Sequence, residues 1–264
     1  MRTRRFTLPL LLLMTLVLYL LLHDLFGGTL LASSPYNSYT LQALAWRKGQ
    51  LGLGQDYPWL ELAIYGGDWF VSFPPVPSVV MLPFTLVFDN LIILYFALAI
   101  LIAVYCAVRS AGASELTAGF YSAFFLLGSN LLWMCSDGSV WFLAQSLNMV
   151  FCTLAILFAV RDKRVLSFAM VALAVGCRPF SILLFVPLLI FFIEEDMREK
   201  SLPFWKALLS QWKLLLLPAL IGGCYGGSSP GCVTRFIIEF HILYGGGGNG
   251  VWLTCVRKVK CVNH

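Results

Sequence analysis

Charge is scarce in this chain: Asp, Glu, Lys and Arg make up 12% of its 264 residues, against roughly 25% in ordinary soluble domains. That scarcity excludes a soluble globular domain, whose surface needs charge to face water. Histidine is scarcer still. His23, His241 and His264 stand far apart in the chain, which excludes a histidine-built zinc centre. No Cys-x-x-Cys pair occurs, so neither a zinc ribbon nor a thioredoxin-like redox motif is expected. The eight cysteines invite a disulfide reading, yet Cys106, Cys135, Cys152 and Cys177 lie in or beside apolar runs at no recognisable spacing. They read as small core residues. A basic nucleic-acid face is missing too, because the formal net charge of +5 is scattered over short segments between apolar runs.

What the chain has instead is grease, 59% of its residues, and it comes in runs: residues 6–22, 91–108, 116–135, 140–160, 165–193 and 208–225. Each full run is close to the roughly 20 apolar residues needed to cross about 30 Å of hydrocarbon as a helix. Helix is required, because an isolated strand in lipid leaves its backbone groups unpaired. The run 165–193 is too long for one span, is broken by Arg178 and Pro179, and has charged flanks at both ends. It reads as a hairpin of two helices with Arg178 at the far turn. The fold expected is therefore an all-α integral membrane protein of about seven transmembrane helices, with one long extracytoplasmic loop after the first. A cleaved signal peptide competes for the first run, but residues 6–22 exceed the usual length of such a core and no small-x-small site follows at once, which favours a retained anchor.

The cations fall on alternate sides of these spans. Arg2, Arg4, Arg5, Arg109, Arg161, Lys163, Arg164, Arg198, Lys200 and Lys206 share one side, whereas Arg47, Lys48 and Arg178 take the other. The positive-inside rule then places the chain in the plasma membrane with its N-terminus in the cytoplasm.

Residues 23–90 form the loop with room for an exposed site. Tyr39, Ala43 and Trp46 follow a Ser-Pro start at helical spacing, and Gly49 is expected to end that short helix. Two aromatic runs about Gly66-Gly-Asp predict a hairpin. Phe73-Pro-Pro-Val-Pro forces a stiff, extended entry, and 78–88, too short to cross, is expected to be re-entrant or interfacial. Between the third and fourth runs, Asp137 is expected to cap the following helix, with Trp133 and Trp141 as interfacial anchors. Gln145, one turn further on, is expected to serve a helix–helix hydrogen bond. Beyond residue 225 the pattern changes: two glycine-rich stretches flank a segment of no clear period, and four cysteines lie from Cys224 onward. A reading frame disrupted near 225 accounts for that change, leaving 1–225 as the membrane domain and 226–264 as a non-native tail.

Lys48-Gly-Gln-Leu-Gly-Leu, Tyr65-Gly-Gly-Asp-Trp-Phe-Val-Ser-Phe-Pro-Pro-Val-Pro-Ser and Leu82-Pro-Phe resemble the first extracytoplasmic loop of bacterial multi-span glycosyltransferases of the GT-C fold. That class includes protein mannosyltransferase-like and lipid A aminoarabinose transferase-like enzymes. Val140-Trp-Phe-Leu-Ala-Gln and Cys177-Arg-Pro-Phe are similar to stretches in its middle spans, so the resemblance covers 1–225. It implies transfer of a sugar from a polyprenyl-phosphate donor to an outer-face glycan, lipid or protein acceptor, with a loop acid activating the acceptor hydroxyl or helping to bind a divalent metal. A hydroxyl is a poor nucleophile until a positioned carboxylate takes its proton, and the departing phosphate needs a donor or cation. Asp24, at the membrane edge, and Asp56 are the catalytic candidates. Many relatives carry an acid before an aromatic at the start of the loop helix, where this chain has Asn37 before Tyr39. Asparagine cannot act as a base, so Asn37 joins Asp68 and Arg178 as candidates for substrate binding. Arg178 draws attention by itself, because an arginine between two apolar helices costs free energy in lipid and its guanidinium forks onto phosphate oxygens. Two other readings stand beside the enzyme: an inactive remnant or scaffold of the same family, and a transporter.

Overall fold

The computed structural model describes residues 6–25, 30–65 and 67–212. The expected tail 226–264, the arginines at 2, 4 and 5, and most of the run 208–225 lie outside the described residues. The described chain is mostly helical. In order it forms α1 (Thr7–Leu25), α2 (Ser38–Arg47), strands β1 (Leu62–Tyr65) and β2 (Asp68–Val71), then α3 (Val76–Met81), α4 (Asp89–Ser110), α5 (Glu115–Leu127), α6 (Leu131–Met134), α7 (Val140–Val160), α8 (Arg164–Val175), α9 (Phe185–Lys200) and α10 (Phe204–Ser210).

Three of these helices, α1, α4 and α7, are long and apolar enough to cross a membrane. α4 and α7 pack along each other at the centre, with α5 against α4 and α8 against α7, while α1 lies across α4 and α5. The shared core is aliphatic: Ile93, Ala97, Ile100 and Leu101 of α4 meet Leu143, Ala144 and Leu147 of α7. Small residues at the contact let the two backbones approach closely. α1 buries little of its surface and shows Leu10, Leu13, Met14, Val17 and Leu21 on the outside, the apolar surface that a membrane-crossing helix would present.

The run 116–135 does not form one rod. α5 has 13 residues, about 20 Å of helix, and stops at Gly128; α6 follows as a single turn after Asn130. The start of α5 is set by Ser114, whose hydroxyl accepts from the Thr117 amide at 3.1 Å, an N-cap of the usual kind. The run 165–193 divides as its Arg-Pro pair predicts. α8 ends at Gly176, Arg178 is held extended (φ −144°, ψ 113°) before Pro179, and one stretch of 3₁₀ helix, Pro179–Leu184, leads into α9. Proline restricts the residue before it to that extended region.

Hydrogen bonds fix which ends of the helices meet. At one end the Val140 amide donates to Tyr36, the Val76 amide to Gly176 and the Gly138 amide to the Asn90 side chain. The 30–88 segment therefore folds over the start of α4, the start of α7 and the end of α8. At the opposite end Arg161 reaches Ser110, and Arg164 pairs with Glu195 and Asp196. Arg109, Arg161, Lys163, Arg164, Arg198, Lys200 and Lys206 thus all belong to that second end. Within the loop, α2 closes at Lys48 and Gly49, the latter at φ +76°, a conformation glycine takes without strain. β1 and β2 pair antiparallel, Leu62 with Val71 through Tyr65 with Asp68, as the Gly-Gly-Asp turn predicts. The segment expected at 78–88 is α3 followed by a 3₁₀ turn, Leu82–Phe84.

Candidate functional site at the loop-bearing end

The loop helix α2 is held over the bundle by three polar side-chain contacts. Thr40 donates to Asp89 Oδ1 at 2.5 Å, Ser78 donates to Gln42 Oε1 at 2.5 Å, and Arg47 hydrogen-bonds Thr85. All three partners lie in the stretch 78–89, so α2 is stapled to the entry of α4. Asp89 is fully buried. The Ser33 hydroxyl and the Ser34 amide also lie against its carboxylate, and a carboxylate in the first turn of a 22-residue helix benefits from the helix dipole. Its Oδ2 nevertheless has no hydrogen-bond partner.

Beside it the turn before α7 makes close contact. Asn90 accepts the Gly138 amide at 2.7 Å, and a Cβ built on Gly138 would meet the Asp89 carbonyl carbon at 2.6 Å. Asp137 does not cap α7 in the expected way. Its Oδ1 accepts from the Ser139 amide at 2.9 Å, the N-cap being Ser139, and its charge acts on the buried His23 at the end of α1. Trp133 and Trp141 are exposed, as interfacial anchors would be.

Arg178 sits at the turn between α8 and the 3₁₀ stretch, where the Arg-Pro pair predicts it. Its Nη2 donates to the Trp141 carbonyl at 2.8 Å, which brings the guanidinium beside the first turn of α7; its buried Nε has no partner. Tyr39 of α2 lies within reach of the same charge. Burial pushes the Tyr39 phenol well above its ordinary pKa, Arg178 pulls it down and Cys177 adds to the rise. Tyr36 and Trp141 rings meet at 5.5 Å, so α2, α7 and the 178 turn share one junction.

The other candidates lie apart from this network. Asp24 and Asp56 are exposed, and Asn37 is half-buried at the N-cap of α2, where its side chain makes no capping bond. None of the three makes a side-chain hydrogen bond or ion pair with another described residue. Asp68 is engaged. It accepts from the amides of Gly54 at 2.9 Å and Trp69 at 2.7 Å, and a Cβ on Gly52 would lie 2.1 Å from its Oδ2. Its carboxylate ties the 52–54 loop to β2. Gln145 is exposed; the polar contacts of α7 come from its neighbours on the packed face, Ser146 near Cys135 at 3.4 Å and Asn148, which accepts from Ser181 at 2.5 Å. Among the described residues no three His, Cys, Asp or Glu side chains gather as a metal centre.

Sequence reasoning missed Asp89, Asn90 and Ser139. A signal for the first pair was present, since an Asp-Asn opening an apolar run meets the helix dipole, but only the folding back of the loop buries them.

An apolar helical bundle with three membrane-length helices defines a chain compatible with the all-α membrane class. Compared with protein-family models, with curated proteins and with solved structures, it matches none of them.

Proposed function

We propose that this chain is a membrane glycosyltransferase that moves a sugar from a polyprenyl-phosphate donor to an outer-face glycan, lipid or protein acceptor. Its architecture is then one of about seven spans in the plasma membrane, with the N-terminus cytoplasmic and 23–90 on the outer side. The observation that carries the reading is a group of polar side chains at one end of the apolar bundle: Tyr39 and Thr40 of the loop helix meet Arg178 and Asp89 where the long loop folds onto the helices, the end at which a carrier with its tail in lipid would present its phosphate. The cations at the other end fit a cytoplasmic face. In this scheme Asp24 or Asp56 takes the proton of the acceptor hydroxyl, Arg178 meets the departing phosphate, and Asn37 and Asp68 line the approach of the substrates.

Two other readings each have one observation in favour. Asn37 in the place of an acid, with Asp24 and Asp56 held by no described partner, suits an inactive remnant. The 3₁₀ break at Pro179–Leu184, bonded through Ser181 to Asn148, suits a transporter, whose sites form where helices are interrupted.

The test is transfer of label from a polyprenyl-phosphate sugar to an acceptor in membranes carrying the protein. Loss of the base is expected to lower the rate by about a hundredfold or more, in Asp24→Asn or in Asp56→Asn. Equal rates in both variants remove these two residues from the chemistry. No transfer from any carrier removes the reading, and substrate flux in vesicles would put the transporter in its place.

Topology has its own test. Leu51, 78% exposed in the loop, is expected as Leu51→Cys to react with a membrane-impermeant thiol reagent added to intact cells. Reaction only after the cells are opened would reverse the orientation and with it the site of the donor.

A further inference from the structure

Between α2 and β1 the loop carries aromatic rings that the proposed reaction leaves unused. Tyr57-Pro58-Trp59-Leu60 is a turn closed by the Leu60 amide on the Tyr57 carbonyl at 2.9 Å. Proline stands at its second position, where a fixed φ favours the turn. Leu60 is buried and anchors the turn, whereas Trp59 is 56% exposed. The Trp59 ring is held all the same. Its indole N–H donates to the Pro35 carbonyl at 3.0 Å, and Tyr57 meets it edge to face at 5.8 Å. Pro35 precedes Tyr36, which is exposed and packs on the exposed Trp141 at 5.5 Å. Two ring pairs are thus tied to one stretch of backbone, residues 35 and 36, at the loop-bearing end. Gln55, Asp56 and Glu61, on either side of the turn, are exposed too.

We infer that the Tyr57–Trp59 turn, with Tyr36 and Trp141 at its side, is a stacking platform for a neutral glycan. The C–H bonds on the face of a sugar ring carry partial positive charge and are drawn to the negative face of an aromatic ring. The hydroxyls around the sugar's rim need donors and acceptors, which the Gln55 amide and the two carboxylates supply. A ring fixed before the ligand arrives loses little freedom on binding. Lipid is the competing cover for exposed aromatics, and two observations favour the sugar. A tryptophan anchored in a membrane interface keeps its N–H for water and headgroups, whereas that of Trp59 is taken up inside the protein. Asp56 and Glu61 repel a phosphate headgroup and accept from sugar hydroxyls, so the ligand is uncharged. Asp56 directly precedes Tyr57, so a sugar stacked on the turn has a carboxylate beside it. Identifying this glycan as the acceptor rests on the function proposed above, whereas the platform itself does not.

Calorimetric titration of the full chain in phosphatidylcholine nanodiscs tests this, with neutral oligosaccharides of glucose, mannose, galactose and N-acetylglucosamine as probes. At least one is expected to bind, with affinity lowered about tenfold in Trp59→Ala and about threefold in Tyr57→Ala, the loss of one or part of one stacking contact. Trp59→Phe keeps a ring and is expected to lose less than Trp59→Ala, and Trp133→Ala to lose nothing. Tyr57→Ala decides the matter where Trp59→Ala misfolds. Binding by none of the four sugars overturns the platform, as does a bound sugar whose affinity is the same in wild type, Tyr57→Ala and a folded Trp59→Ala. Nanodiscs of brominated phosphatidylcholine test the lipid alternative: the quenched fraction of tryptophan fluorescence is expected not to fall in Trp59→Phe, and a fall places the ring in lipid and overturns the platform. Glycan binding without sugar transfer keeps the platform and removes the acceptor role. Transfer to a lipid or protein with no glycan bound overturns the platform and leaves the proposed reaction standing.

Discussion

Arg164→Ala is expected to destabilise the protein by about 3 kcal/mol, seen as a fall in thermal unfolding temperature on the order of 8 °C in detergent. Arg164 opens α8 and reaches three carboxylates: Asp162 at 2.7 Å, Asp196 at 3.0 Å and Glu195 at 3.1 Å. Its guanidinium also lies 5.0 Å from the centre of the Phe192 ring. Asp196 is the member that suffers when the arginine goes, because it is 1% exposed and a buried charge without its partner costs more than the pair contributes. The loss stays at the lower end of the usual range because Lys200 at 2.6 Å, Ser210 at 3.0 Å and Gln211 at 2.7 Å continue to hold Asp196. The Ser210 and Gln211 bonds join α9 to the end of α10, so α10 is expected to stay docked in the variant. An unchanged unfolding temperature would mean that Lys200 alone neutralises Asp196.

The acid limb of stability follows from the same cluster. Burial acts to raise the Asp196 pKa, but hydrogen bonds from Arg164, Lys200 and Ser210 outweigh it and lower the group to about 2. Its unfolded-state value is about 3.9. A folded pKa below the unfolded one gives stability that is complete above about pH 4 and is lost as pH falls through about 2. Glu195 has the opposite sign. Burial first, then the charge of Asp162, raises it, so its ionised form opposes folding and protonation on acidification relieves that. Unfolding temperature followed from neutral pH downward is expected to show the relief of Glu195 before the loss of Asp196, and Asp196→Asn is expected to flatten the second phase.

Where the local signal was unambiguous, sequence and structure agree. The two aromatic runs pair as the hairpin β1–β2 that the glycine-rich sequence between them predicts, and Arg178-Pro179 interrupts a helix for steric reasons internal to the two residues. The stop of α2 at Gly49 has the same local origin. Disagreement begins where the solvent of a side chain is set by distant parts of the chain. The third run reads as one span because nearly every residue in it is apolar or small, yet its Gly-Ser-Asn at 128–130 ends the helix. In α7 nearly every neighbour of Gln145 is apolar, so hydrophobic periodicity carries no phase, and the packed face proved to hold Ser146 and Asn148 instead. Asp89 and Asn90 read as solvated flank until 30–88 folds back on them. The bond from Arg178 to the Trp141 carbonyl joins residues 37 apart in sequence, a pairing that no spacing rule announces. Of the residues expected to carry function, Arg178 alone lies in that junction; Asp24 falls in the last turn of α1 rather than after it, Asp56 and Asn37 lie in the loop, and what they do depends on substrates.

Gly138→Ala is expected to cost about 3 kcal/mol through a single methyl group. The added Cβ would stand 2.6 Å from the Asp89 carbonyl carbon and 2.7 Å from the Asn90 nitrogen, and both atoms are backbone at the first turn of α4, unable to swing aside. The turn must instead move away, which breaks the 2.7 Å bond from the Gly138 amide to Asn90. Gly119 supplies the contrast: its Cβ would meet the Thr7 methyl at 2.8 Å and a Leu11 methyl at 3.2 Å, side-chain ends that can rotate, so Gly119→Ala is expected to change stability by less than about 1 kcal/mol. The difference also has a direction. Asp89 holds Thr40 at 2.5 Å, and Val140, two residues past Gly138, holds Tyr36 at 2.8 Å, so a displaced 137–139 turn pulls on one attachment of α2 and on the residue leading into it. Proteolysis of the 30–88 segment is therefore expected to quicken in Gly138→Ala and not in Gly119→Ala; equal rates would mean that the turn and the loop helix are held independently.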